Sequence, residues 1–242
     1  MQYAVLSKKG SRETNEDYAA VTEKDGAYCF VLCDGLGGHG AGEEASRLAV
    51  ETILEGFTKY PSLGQTGTFL EMAQERLLQE QERLHIPNDM KTTAVVLVTE
   101  GQQAEWAHIG DSRLYHFRDT LFGTRFVRTL DHSVPQTLVA SGQLKEREIR
   151  FHEDRNRLLR ALGTEWNGKA YEVSKPVPAG RRDRFLLCSD GWWELIEEHE
   201  MIALMKRSAD PKDWLTRMEE AIVKHGAGRD MDNYSAVGVW LK

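Results

Sequence analysis

AYCFVLCDGLGGHGAGEEASRLAVETILEGFT, residues 27–58, is the stretch that decides the fold. The apolar and aromatic run 27–33 has the length and composition of a buried strand, and Asp34-Gly35 ends it. From 42 to 58, Ala45, Ala49, Ile53 and Phe57 recur every fourth residue, and Leu48 widens the stripe, which predicts an amphipathic helix. A strand, a glycine loop and a helix in this order also open a dinucleotide-binding unit, and Gly35-Leu36-Gly37-Gly38-His39-Gly40 matches the G-x-G-x-x-G fingerprint. Three features oppose that reading. Asp34 would set a bare carboxylate at the mouth of a pyrophosphate site. The helix leads into a second helix at 68–85, with Leu70, Ala73, Leu77 and Leu84 on one face, and not into a crossover strand. No short strand ending in an acid follows at the spacing that a ribose contact needs.

Outward from this segment the elements fall in blocks. Strand-like runs occupy 2–6, 17–22 and 27–33 before the helix pair, and 92–99, 104–109, 113–118, 124–129, 184–188 and 234–241 after it. Further helices fit 135–143, 198–207 and 213–225. Strands grouped with strands predict an α+β fold on antiparallel sheets, because a doubly wound parallel sheet needs strict alternation of strand and helix. No linker, low-complexity tract or repeat interrupts the chain, so one domain over 1–242 is expected. The segment 131–165 is polar and arginine-rich, and charge alone reads it as a solvated insert.

Composition narrows the class of function. The chain has 242 residues, 31 Lys+Arg against 38 Asp+Glu, a net charge of −7 and 40% hydrophobic residues. That is enough apolar content for a packed core, and the acidic balance argues against a nucleic-acid binder held by phosphate charge. No apolar run approaches the roughly 20 residues of a membrane span, and the start MQYAVLSKKGS does not read as a signal peptide. Cys29, Cys33 and Cys188 all lie inside apolar runs, which predicts buried thiols in a reducing cytoplasm and neither a disulfide framework nor a zinc site. Nothing in the pattern predicts an obligate interface, so a cytoplasmic monomer without membrane contact is expected.

The acids carry the chemistry. Apolar runs end in FVLC-Asp34-Gly35, WAHIG-Asp111-Ser112 and FLLCS-Asp190-Gly191, and Asp232-Asn233 stands just before the run YSAVGVWL. Any one of these alone reads as a turn. Four at strand ends would repel one another if the ends converge, unless cations sit between them. Oxygen donors without His or Cys favour Mg²⁺ or Mn²⁺ over zinc. Glu16 adds an acid near the second strand, and Arg12 supplies a planar fork suited to a pair of phosphate oxygens. Ser112 and Ser189 lack a G-x-S-x-G setting, and Cys188 lacks the C-x₅-R loop of a thiolate phosphatase. An activated water is therefore the simpler nucleophile.

SRETNEDY (11–18), VLCDGLGGHGAGEEAS (31–46), KTTAVVLV (91–98), HIGDSRLY (108–115), LDHS (130–133), RNRLLRALG (155–163), LLCSDGWWE (186–194) and MDNYSAVGV (231–239) occur in order and resemble the metal-dependent protein Ser/Thr phosphatases, the PPM or type 2C family. The likeness spans nearly the whole chain and is greatest to stand-alone bacterial members, among them the phosphatase of type VI secretion control. It implies a four-layer α-β-β-α sandwich with two central antiparallel sheets. It implies that Asp34 bridges two Mg²⁺ or Mn²⁺ ions, that the Gly35 carbonyl ligates one of them, that Asp190 and Asp232 complete the protein ligands of the first, and that Glu16 holds a water on the second. Asp111 would hold a weaker third ion, Arg12 would grip the phosphate, and 131–162 would form a flap beside the cleft. The activity implied is hydrolysis of phosphoserine and phosphothreonine in proteins by a metal-activated hydroxide, opposing a Ser/Thr kinase. A catalytically silent phosphoprotein-binding relative of the same fold is the alternative.

The sequence also departs from the family pattern. Where eukaryotic relatives carry a His two residues after the bridging Asp, this chain has Leu36, so the acid for the leaving oxygen falls to a water or to His39. Glu194 stands where many members have Asp, which bears on the third ion.

Overall fold

The computed structural model describes residues 1–37 and 40–241. Strand β3 (Ala27–Leu36) is the spine of the molecule, and it is apolar on both faces because both faces are covered. Cys29, Val31 and Cys33 point toward helices α1 (Ala41–Lys59) and α2 (Thr66–Leu84), whereas Phe30 and Leu32 point toward a second sheet. β3 lies between β2 (Asp17–Lys24) and β5 (Ala94–Glu100), and the sheet continues through β6 (Gln103–Ile109) to β10 (Val177–Pro178). Two short strands join its sides, β4 (Lys91–Thr92) on β3 and β9 (Glu172–Val173) on β6.

The second sheet runs β1 (Gln2–Lys8), β12 (Tyr234–Trp240), β11 (Asp183–Cys188), β7 (Arg113–Thr120) and β8 (Gly123–Arg128). Every strand pairing among the described residues is antiparallel, as the block pattern predicts. Phe30, Leu32, Val95 and Leu97 of one sheet meet Leu114, Phe185, Leu187, Val237 and Val239 of the other. On the far face, Leu186, Cys188 and Ala236 pack with Met201, Trp214, Met218 and Ile222 of helices α5 (Glu198–Met205) and α6 (Pro211–His225). The three apolar layers make a four-layer α-β-β-α sandwich. Each large side chain buried in them contributes about 1.5–3 kcal/mol.

Several boundaries differ from the sequence reading for local reasons. The run 92–99 splits into β4 and β5, because the peptide N–H of Thr93 and the Thr92 hydroxyl turn to the Asp34 carbonyl, at 2.9 and 2.8 Å. Helix α3 (Val134–Ala140) stops short of 143, where Gly142 takes a φ of +76°. Helix α6 begins at Pro211, two residues early, because the Asp210 carboxylate accepts the Asp213 N–H at 2.9 Å and Pro211 needs no donor partner there. The two-residue strands β9 and β10 and a 3₁₀ helix at Glu146–Phe151 have no period long enough to read. All three cysteines are free and buried.

Candidate active site

The apolar strands end at one rim of the sandwich, and their ends carry the acids. Arg12, Glu16, Asp34, Gly35, Asp111, Asp190 and Asp232 all line a single cleft of about 650 Å³, with Asn156 and Leu158 of the 131–162 segment on its side. None of the four Asp motifs is a simple turn. Asp34-Gly35 continues β3, and Asp190 opens the single helical turn α4 (Asp190–Trp193). Asp111 precedes β7 in a bend, and Asp232 precedes β12. His39 lies outside the described residues.

The backbone of this rim is fixed by close contacts. Gly35 donates its N–H to the Glu16 carbonyl at 3.0 Å, and the Thr93 hydroxyl accepts the Asp34 N–H at 3.1 Å. A Cβ on Gly42 would stand 2.9 Å from the Glu16 carboxyl carbon, so the glycine at the start of α1 makes room for that side chain. Asn233, to which the sequence reading assigned no role, ties the Arg12–Glu16 loop together. Its amide donates to the carbonyls of Lys9 and Thr14, both at 2.9 Å, and its Oδ1 accepts the Glu16 N–H at 2.8 Å. Asp111 is held from behind, its carbonyl accepting Trp193 Nε1–H at 3.0 Å while the Arg113 guanidinium lies 3.4 Å over the Trp193 ring.

Segment 131–162 is not the solvated insert that its charge suggests. Asp131 is buried in an ion pair with Arg113 at 2.6 Å, Ile149, Ala161 and Leu162 are buried, and Arg155 reaches Glu194 at 3.0 Å.

Electrostatics at the rim are dominated by like charge. Asp17 stands directly opposite Asp34 across the β2–β3 pair, an arrangement that destabilises a sheet when both are ionised. Asp17 is buried, with Oδ2 accepting from the Ser189 hydroxyl at 2.7 Å and Oδ1 without any partner among the described residues. Burial first, and then the field of Asp17, Asp190, Asp111 and Asp232, pushes the Asp34 carboxyl well above the ordinary carboxylate range. Asp190 is pushed well up by burial and by Asp111, Glu194 and Asp232. Burial and Asp131 raise Asp111 to about 7, and burial raises Asp17 to about 6. Glu16 is raised by burial and by Asp232. At the mouth, Arg12 donates to Asp232 at 2.8 Å, and both side chains remain solvent-exposed enough to exchange that partner at little cost.

These residues fit divalent cations. The described cleft lining offers carboxylate oxygens and no imidazole or thiolate, the donor set of Mg²⁺ and Mn²⁺. The repulsion between facing acids, with an orphaned buried oxygen on Asp17 behind them, is of the kind that a bound dication removes. Among the described residues no three acid, imidazole or thiol side chains close on one point, so an ion here would draw its remaining ligands from water and backbone carbonyls, as Mg²⁺ commonly does.

Comparison with known proteins agrees. The family model described as Protein phosphatase 2C matches residues 7–227. A serine/threonine phosphatase, stp, of Listeria monocytogenes is 34% identical over 206 residues, covering 81% of this chain and 79% of its own length. The crystal structure of the Mycobacterium tuberculosis serine/threonine phosphatase PstP superposes with a TM-score of 0.84 at 26% identity, covering 100% of this chain and 98% of that one. A structure of the PstP catalytic domain contains two manganese ions. PppA, described as a key regulatory component of T6SS in Pseudomonas aeruginosa, is 29% identical with a TM-score of 0.78, over 98% of this chain and 96% of that one. The acid-lined rim, the four-layer sandwich and the matched length agree on one assignment: the chain belongs to the protein phosphatase 2C family of metal-dependent Ser/Thr protein phosphatases.

Proposed function

We propose that the acid-lined cleft hydrolyses phosphoserine and phosphothreonine in proteins with Asp34, Asp190, Asp232, Glu16, Asp111 and the Gly35 carbonyl as the ion-holding groups and Arg12 as the phosphate anchor. The observation that carries this reading is the gathering of these residues from five separate chain segments onto one cleft. Bound Mg²⁺ or Mn²⁺ supplies a water of lowered pKa and offsets charge on the phosphoryl oxygens. The chain's own part is positional. Arg12 presents two guanidinium nitrogens at the cleft mouth, where a phosphate dianion outcompetes the single contact to Asp232. Asn233 holds the loop that carries Arg12 and Glu16, and Leu158 with Asn156 walls the cleft on the flap side.

Side-chain nucleophiles are out of reach. Ser112 is buried and hydrogen-bonded to Thr93 at 2.7 Å, Ser189 is buried against Asp17, and burial pushes the Cys188 thiol up within the core. Direct attack by water on phosphorus is what this geometry permits, with inversion and no phosphoenzyme. A catalytically silent relative would be expected to have lost an acid, and here the whole set faces the cleft.

The setting we infer is a bacterial phosphorylation switch in which a Ser/Thr kinase adds what this protein removes; the likeness to PppA supports type VI secretion control as that setting. We infer a cytoplasmic monomer. The three buried thiols suit a reducing compartment, and no helix among the described residues is long and apolar enough to cross a membrane.

The test is phosphate release from phosphothreonine and phosphoserine peptides by chelator-stripped protein resupplied with Mn²⁺ or Mg²⁺. Turnover only with the ion supports the assignment, and ion binding without turnover would point to the silent reader of phosphoproteins. Arg12→Ala is expected to raise KM about 10- to 100-fold, the loss of a charge-assisted contact, with a smaller change in kcat. An unchanged KM would remove Arg12 from the phosphate site.

A further inference from the structure

The hairpin joining β7 and β8 ends in two residues that the fold does not require. Leu121 and Phe122 are each 92% exposed. The turn around them is built by its neighbours: the Thr120 hydroxyl accepts the Phe122 N–H at 3.2 Å and donates to the Gly123 carbonyl at 2.6 Å, while Gly123 takes the φ of +118° that the turn needs. Polar residues would serve this turn equally well and would cost no apolar exposure.

The flank of the hairpin carries unbalanced positive charge in a chain of net charge −7. Arg118 and Arg125 are direct cross-strand partners, a like-charge pair that weakens the hairpin. Arg118 is neutralised by Asp183 at 2.6 Å. Arg125, Arg181 and Arg182 have no ion-pair or side-chain hydrogen-bond partner among the described residues. Together with Pro178 and Ala179 these arginines wall a groove of about 750 Å³ between the hairpin and the 178–183 turn.

An apolar tip and three unpaired guanidinium groups around one groove call for one complement. We propose that this groove binds an extended segment of a partner protein in which acidic and apolar residues alternate. The acids would pair with Arg125, Arg181 and Arg182, and the apolar residues would cover Leu121 and Phe122. The concavity of the groove favours a peptide over a flat anionic membrane. The eight residues of β7, rising about 3.3 Å each, put the tip roughly 25 Å from the Asp111 end of that strand, so a docked segment leaves the cleft open.

The probe is a fluorescent peptide alternating glutamate with valine, compared with its lysine-valine counterpart and with vesicles of equal phosphatidylcholine and phosphatidylserine. Anisotropy is expected to show binding of the acidic peptide that weakens with salt, at least a tenfold loss in Arg125→Glu/Arg182→Glu and in Leu121→Ser/Phe122→Ser, and no binding of the lysine peptide. Arg125→Glu alone should raise Tm, since it turns the like-charge pair into an opposite one, which shows that its binding loss is not misfolding. Hydrolysis of p-nitrophenyl phosphate should be unchanged in all these variants, so that a failure of docking and a failure of the catalytic assignment read out separately. Equal peptide affinity in the variants, no peptide binding at millimolar concentration, capture by the vesicles in place of the peptide, or a dimer that the same substitutions dissociate would each overturn the proposal.

Discussion

Asp34→Asn is expected to lower kcat on a phosphothreonine peptide by about 10³-fold or more while raising the melting temperature of the ion-free protein. The two effects have one cause. Asp34 faces Asp17 across the β2–β3 pair and lies in the field of Asp190, Asp111 and Asp232, so its negative charge opposes folding when no cation is present. Asparagine keeps the shape and removes that charge. It also removes the charge around which we propose that the ions are held.

The pH dependence of stability follows from the same acids. Their folded carboxyl pKa values lie above the unfolded value of about 3.9, so the folded state holds protons more tightly than the unfolded chain. The ion-free protein is therefore most stable at acid pH and loses stability as pH rises through the folded values, about 6 for Asp17 and about 7 for Asp111. Calorimetry with chelator should show Tm falling between about pH 5 and pH 8, a smaller fall in Asp34→Asn, and recovery when Mn²⁺ is added to the wild type. A Tm that rises over this range, or full activity in Asp34→Asn, would contradict the placement of Asp34 at the centre of the acid set.

What could be read from the sequence was set by the length of the pattern that carries it. Asp34, Asp111, Asp190 and Asp232 were legible because each adjoins an apolar run of strand length, which marks both an element and its end. The double-faced burial of β3 was legible for the same reason: Cys29 to Cys33 is apolar at odd and even positions alike.

Asp17 was not recognised, because its importance lies in register. Only the antiparallel alignment of β2 with β3 sets it against Asp34, and in the sequence it reads as the first residue of the strand-like run 17–22. Asn233 escaped for a related reason, since all three backbone groups that it binds lie more than 200 residues away in the chain. Arg113 is buried between Asp131 and the Trp193 ring, partners 18 and 80 residues away that no local pattern announces. The charge of 131–162 misled, because composition does not tell which arginines and acids turn inward to one another.

Gly35→Ala is expected to cost about 3 kcal/mol or more, or to prevent folding, although Gly35 has an ordinary strand conformation. A Cβ there would stand 2.1 Å from the Gly42 carbonyl oxygen, 2.4 Å from its carbon and 2.9 Å from the Glu16 carbonyl oxygen. All three atoms are backbone and cannot rotate aside. Helix α1 cannot retreat, because Ala45 and Ala49 are packed in the same apolar layer as Val31 and Cys33, and the Glu16 carbonyl is held by the Gly35 N–H. Gly26→Ala is the control. It has open space around it and a φ of +82°, so it should cost only the roughly 1–2 kcal/mol of a left-handed backbone.

Chemical denaturation compares the two, and a Gly35→Ala protein within about 0.5 kcal/mol of wild type would mean that α1 is not seated on β3. The same close approach accounts for glycines that match a dinucleotide fingerprint. Gly35 is a glycine because a strand passes directly under the start of a helix, and Gly37 because a Cβ there would meet the Asp89 carbonyl at 2.4 Å. In a Rossmann fold that close approach admits a pyrophosphate. Here it brings the Glu16 carboxylate onto Gly42 and Asp34 to the rim, and so the spacing that first suggests a nucleotide site serves to position acids.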